Sequence, residues 1–391
     1  MKKKRYMAIL SVALAFGCGL TGTVLAAGPV IDKENTGYDE ETWNRLLDDV
    51  LEYDEISLLV HECNSTIRET WDDLETAKKN ILDTVEEMRS QKRMVENLRD
   101  SAKKDGDMEG YATYNMEVQF MEKAIGSVMS SGLAKVNNKS TLASVQRGED
   151  QITQTAQSLV ISYDTLRQQK VTMEHLQTLY GEQYQLATNK RALGLATDTE
   201  VLAAQANQLS AQSSIAEIES RMLKLKPTIL SLTGWAADAD PEIAAIPLVD
   251  LTLIDNMNLE ADTVKAIGNN TTMMELRRTK VGKTNDGVAA RLAKIDEGEQ
   301  KVTIELKALY DDVAAKKAAY ESAQTGYQSA QTSQAGNDRR YSQGMLSKSD
   351  YLATQVSFYQ KEAAYKSADT ALRLSIKTYQ WAVRGFLSID N

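Results

Sequence analysis

Proline and phenylalanine are scarce, four of each in 391 residues. That leaves little for the turn-rich, aromatic-packed strands of a β-sandwich or barrel. Histidine is scarcer still, with only His61 and His175, each inside a helical run. No Ser/His/Asp or Cys/His arrangement can be assembled from them, and no cofactor or metal is expected. His61-Glu62-Cys63 gathers three ligand types, but residues two apart on a helix face different ways. The Gly282-Lys283-Thr284 triplet ends like a phosphate-binding loop. The required first glycine would fall at Arg277, and no strand precedes it. The sequence expects no enzyme.

Long apolar runs are also missing after the first 26 residues, so nothing later can span a bilayer as a helix. Lys2, Lys3, Lys4 and Arg5 precede the uncharged Met7 to Leu25, and Val24-Leu25-Ala26 offers small residues at a cleavage site. Residues 1–26 therefore read as a secretory signal. Cys18 after Gly17 also admits a lipoprotein site, which Ala15 and Phe16 fit poorly. Cleavage leaves Cys63 as the single cysteine and excludes an intrachain disulfide. It also takes the net charge from −10 to −14, against nucleic-acid binding.

What is present is helix-forming: Ala, Gln, Glu, Lys, Leu and Met dominate. Apolar residues recur every seven positions. Leu46, Tyr53, Val60, Ile67, Leu74, Ile81, Met88 and Val95 form one run, and Leu159, Leu166, Met173, Tyr180 and Ala187 a second. A third is Leu202, Leu209, Ala216, Leu223 and Leu230. A fourth is Leu306, Val313, Tyr320, Tyr327, Gln334 and Tyr341. The fifth is Tyr351, Phe358, Tyr365, Leu372, Tyr379 and Phe386. Such periods predict all-α, left-handed coiled-coil packing. Residues 41–103 as one helix would extend about 95 Å, so the molecule should be elongated. The tyrosines at heptad spacing read as interface filling with their hydroxyls reaching water.

Breaks are few. Asp105-Gly106-Asp107 ends the first long helix, 132–140 is a turn candidate, and Thr233-Gly234-Trp235 ends another helix. Residues 236–257, with Pro241 and Pro247, read as a connector holding one short strand. Val281 to Gly287 is a further turn.

The chain repeats itself. Setting Gly194 on Gly344 aligns Leu193-Gly194-Leu195-Ala196-Thr197 with Gln343-Gly344-Met345-Leu346-Ser347. Thr197 precedes Glu200 by three and Ser347 precedes Asp350 by three, the capping-box spacing, with Asp the weaker partner. Both are expected to be helical hairpin tips at one end of the molecule. The division is residues 27–235 as the first repeat (tip 193–199), 236–257 as connector and 258–391 as the second repeat (tip 343–349).

At these tips the chain resembles the TolC-like outer-membrane efflux family, whose repeats carry G-x-x-[ST]-x-x-[DE]-h-L tips (h apolar). Gly194-Leu-Ala-Thr197-Asp-Thr-Glu200-Val-Leu202 and Gly344-Met-Leu-Ser347-Lys-Ser-Asp350-Tyr-Leu352 fit that form. Leu230-Ser-Leu-Thr-Gly234 fits the end of a returning helix, and Asn64 and Asn270 stand in register at the repeat starts. The resemblance implies a homotrimeric helical tunnel docking a membrane-fusion-type adaptor driven by an inner-membrane pump, an ABC-type motor being one option. It implies that Leu193 to Thr197 and Gln343 to Ser347 are the docking loops, and that the exported chain sits in the cell envelope, at an outer membrane.

One departure stands out. Each repeat of the family inserts a pair of membrane strands, and here Asn270 to Gly344 is too short to hold one. The surplus in the first repeat, between Lys78 and Ser140, is charged and helical. The sequence therefore predicts no barrel, with one strand pair replaced by extra helix, and leaves open an envelope without an outer membrane. The competing reading is a structural coiled-coil envelope protein without a lumen.

Overall fold

The computed structural model describes residues 38–136, 138–236, 239–279 and 285–388. The expected signal segment with Cys18, and the turn expected at Gly282-Lys283-Thr284, lie outside them. Of the described residues 86% are helical. Their strands are two two-residue segments, β1 (Val50–Leu51) and β2 (Glu242–Ile243), paired in parallel. No described helix is long and apolar enough to cross a membrane.

The stretch 41–103 is not one helix, contrary to its unbroken heptad. It divides into α1 (Glu40–Leu46), β1, a 3-10 turn at Tyr53–Glu55, α2 (Ile56–Cys63) and α3 (Ser65–Asp105). Two polar side chains explain the breaks. The Asp48 carboxylate accepts the Val50 N–H at 2.9 Å and directs the chain into β1. Asn64 is extended (φ −67°, ψ 117°), and its side-chain oxygen caps α3 by accepting the Thr66 and Ile67 N–H groups. The heptad survives the breaks because Leu46, Tyr53, Val60 and Ile67 are all buried in one core with Ala156, Ile229 and Trp235.

Beyond that core α3 continues to Gly106 (φ 76°), reverses, and returns as α4 (Met108–Val136). Leu74, Ile81, Met88 and Val95 are half-buried along this hairpin. Lys92 reaches Glu122 at 3.4 Å across it. The surplus segment is thus helical.

Four long helices follow in two antiparallel pairs: α5 (Lys139–Ala192) with α6 (Asp198–Leu232), and α10 (Asn285–Ser342) with α11 (Lys348–Val383). Pro227 lies inside α6. The connector contributes β2 and α7 (Thr252–Asp255) and leads to α8 (Leu259–Asn269) and α9 (Thr271–Arg278). In the second pair the heptads interlock. Tyr320 and Tyr365 share a 3.2 Å hydroxyl contact, Tyr327 stacks on Tyr365 and Tyr341 on Tyr351. Leu306, Val313, Leu372 and Tyr379 are buried with Tyr320 in one core. The pairs meet through α5 and α11, where His175 stacks on Tyr359 at 4.6 Å and Lys348 meets Glu182 at 3.2 Å. The order across the row is therefore α6, α5, α11, α10, with α6 and α10 at its edges.

The third heptad behaves differently from the rest. Leu230 is buried, but Leu202, Leu209 and Leu223 point outward, while Val201, Ala211 and Ile218 face α5.

Candidate functional site: the two hairpin tips

α5 and α10 each end in the same six-residue device. After α5, Leu195 N–H donates to Lys190 O at 2.8 Å and Gly194 N–H to Arg191 O at 2.9 Å. After α10, Met345 N–H donates to Arg340 O at 2.8 Å and Gly344 N–H to Tyr341 O at 2.9 Å. These paired bonds close the helix with its penultimate residue left-handed, and Gly194 (φ 70°) and Gly344 (φ 72°) supply that conformation.

The returning helices start from caps of unequal strength. Glu200 N–H donates to Thr197 Oγ1, and the Glu200 carboxylate accepts Thr197 N–H at 2.7 Å, completing the box. That backbone N–H holds the Glu200 carboxyl below its ordinary pKa. Asp350 is one methylene shorter. Its N–H still donates to Ser347 Oγ, but its carboxylate accepts the Ser347 hydroxyl instead, at 2.6 Å. Arg191 pairs with Asp198 across the first tip.

These bonds fix the backbone and leave the side chains free. Leu193 is 74% exposed, Leu195 73% and Met345 67%. Gln343, Thr197 and Ser347 are exposed too, and Ala196 and Leu346 are half-covered. The structure brings all ten candidate residues to one end. His175 stands nineteen residues before Gly194 and its partner Tyr359 fifteen after Gly344. At 1.5 Å per residue the tips then differ in height by about 6 Å.

The residues set aside as chemistry lie elsewhere. His61 Nδ1 is 3.1 Å from Glu149, which also accepts Trp71 Nε1–H at 3.2 Å. The hydrogen bond to Glu149 raises the His61 pKa. This cluster fastens α2 to α5. Cys63 is buried and its thiol is pushed up to about 12, chiefly by burial. No group of three or more possible metal ligands occurs among the described residues.

The opposite end of the four-helix row holds the two asparagines that stand in register at the repeat starts, with bonds that the sequence did not display. Asn64 and Asn270 are both buried N-caps. Their side-chain amides donate to the chain ends that return beside them, Asn64 to Leu232 O at 3.0 Å and Asn270 to Leu387 O at 2.8 Å. Gly234 (φ 79°) packs on Cys63 and Gly385 (φ 101°) on Asn269, each against the residue before its asparagine. Gly385 was legible in one respect: it follows Gly344 by 41 residues, as Gly234 follows Gly194 by 40. The leucines and threonine that mark the first turn are absent from the second. Two buried acid–base pairs also clasp the connector. Asp164 pairs with Arg167, which donates to Ile243 O. Asp369 accepts the Val249 N–H and pairs with Arg373, which donates to Pro247 O.

No protein-family model matches the sequence, and no curated protein matches it. Among solved structures it is similar to the outer membrane channel CmeC of Campylobacter jejuni (11% identity, TM-score 0.46), over 98% of this chain and 96% of that one. It is similar to the outer membrane protein VceC of Vibrio cholerae (15%, 0.41), over 68% and 76%. The MtrE outer membrane channel of Neisseria gonorrhoeae is a third (12%, 0.39), over 86% and 90%.

Proposed function

We propose that this chain is a non-enzymatic conduit subunit of an efflux or export assembly in the cell envelope. It self-associates, as a trimer, and docks a membrane-fusion-type adaptor through residues 193–197 and 343–347, the adaptor linking it to an inner-membrane pump. One observation carries the reading. Two turns of identical backbone design stand near one height at one end of the molecule, each presenting apolar side chains that nothing in the chain covers. A turn that only reverses the chain needs the glycine and the cap, and it has no use for Leu193, Leu195 and Met345 in water. Apolar side chains held on a rigid backbone lose little entropy when a partner buries them.

The triple variant Leu193→Asp, Leu195→Asp, Met345→Asp tests this. The side chains are exposed and the turn bonds are main-chain, so the melting temperature should stay within about 2 °C, as for surface substitutions. Binding to a co-expressed membrane-fusion-type adaptor should fall at least about tenfold, the loss of one apolar contact or more. Undiminished binding at unchanged stability would mean that the tips merely turn the chain.

A further inference from the structure

A cavity lies between the two repeats at the end away from the tips, and its charge is unbalanced. α5 and α11 run antiparallel, and two contacts fix their register. His175 stacks on Tyr359, and Arg384 stands 3.6 Å from Asp150. Between these contacts Gln157, eighteen residues before His175, is level with Lys377, eighteen residues after Tyr359. There the helices leave a space of about 490 Å³. Its walls include Thr153 and Gln157 on α5, Lys377 and Gln380 on α11, and Leu253 and Met257 in α7 and the turn after it. That volume lies in the range of small-molecule pockets, roughly 300–1,000 Å³.

The charges around this space leave one cation over. Asp262, which also lines it, is spent on Lys265 at 2.9 Å, the Tyr379 hydroxyl at 3.1 Å and the Asn258 N–H at 3.2 Å. Arg384 is held by Asp150 and lies over the Trp381 ring at 4.8 Å. Arg373, one turn before Lys377, is paired with Asp369. Among the described residues no carboxylate lies within 4 Å of the Lys377 ammonium, which sits over the Tyr53 ring at 5.3 Å. Burial holds this ammonium below its ordinary pKa, with Asp54 opposing the shift and Arg373 and Arg384 adding to it. Polar groups beside it are uncommitted too. Thr155, Thr165 and Thr172 of α5 each donate to the carbonyl four residues back. The hydroxyl of Thr153, only 5% exposed, makes no such bond. The Gln157 and Gln380 amides have no partner among the described residues either.

We propose that this cavity binds a small organic monocarboxylate with an apolar body, its carboxylate on Lys377 and its body against Leu253 and Met257. A single negative charge is the match, because a single positive one is unanswered. A phosphate, nearer two charges, would face Asp262 and Asp150 with nothing left to neutralise the second. The Thr153 hydroxyl and the two amides can donate to the same carboxylate oxygens. Leu253, 37% exposed in the wall, gains only from an occupant with apolar surface of its own. Such a ligand joins the two repeats, since Thr153 and Gln157 belong to the first and Lys377 and Gln380 to the second. The proposal goes beyond the conduit reading, and neither depends on the other.

Calorimetric titration of the full chain with sodium octanoate tests it. Saturable binding with a dissociation constant below about 1 mM is expected, with neutral octanamide and inorganic phosphate at least about tenfold weaker. Lys377→Met keeps the length of the stem and removes the charge. Its melting temperature should not fall, while its octanoate affinity should drop at least about tenfold. Gln157→Glu sets a carboxylate level with Lys377, so it should raise the melting temperature and exclude octanoate. Absence of saturable binding to the unsubstituted chain would overturn the proposal. Octanamide binding as tightly as octanoate would reduce the interaction to apolar contact, and phosphate doing so would reduce it to bare charge. Either result overturns the proposal, as would undiminished octanoate binding by Lys377→Met.

Discussion

Glycines with positive φ do two different jobs here, and the surroundings of each tell them apart. At Gly194 and Gly344 an added Cβ would meet nothing within 4 Å. Alanine there should cost only the left-handed backbone penalty, about 1–2 kcal/mol each. At Gly234 the same atom would lie 2.2 Å from Cys63 Cβ, and at Gly385 2.4 Å from Asn269 O. Alanine there must also push apart the return point of a repeat and the helix cap beside it. An overpacking cost of about 1–3 kcal/mol then adds to the backbone penalty. Urea midpoints for the four Gly→Ala variants should therefore fall into two groups, with Gly234→Ala and Gly385→Ala the lower. Four equal midpoints would mean that the bases of the repeats are looser than their buried asparagines indicate.

At the scale of elements, α3 and α4 form a unit that leans on the rest only at its root. Ile67 and Trp71 of α3 join the first core, and no residue of α4 does. The hairpin can be shortened where its two helices are level, since Gly132 packs on Ile81. Replacing Leu82–Ser131 with a short Gly/Ser turn should remove helical signal in proportion to about 50 residues and leave the urea midpoint of the remainder unchanged. A lowered midpoint would show that the hairpin supports the core. The elements also show what a sequence can and cannot display. The tips were legible because a left-handed turn requires glycine and a capped helix requires a hydroxyl with an acid three residues on, both local demands. The break at Asn64 was not, because Tyr53, Val60 and Ile67 keep heptad spacing through it and share one core. The heptad of Leu202, Leu209 and Leu223 was legible as an apolar stripe but not as an outward one, because periodicity does not say which face of a helix its neighbours cover. Apolar tip residues were readable as types, while their exposure depends on how the hairpins end relative to each other.

For the whole molecule, the row of helices and the hairpin beyond it make an elongated molecule with apolar side chains that the chain itself leaves uncovered. One end carries two rigid tips with uncovered leucines and a methionine. The outer face of α6 leaves Leu202, Leu209 and Leu223 uncovered. A structural rod that stands alone would have no reason to leave Leu202, Leu209 and Leu223 in water. The account therefore stands on self-association of the chain, and sedimentation equilibrium at micromolar concentration tests it most directly. A mass three times that of one chain, lowered toward one chain by Leu202→Lys, Leu209→Lys and Leu223→Lys together, is the predicted result. A stable single-chain mass for the unsubstituted protein would contradict it.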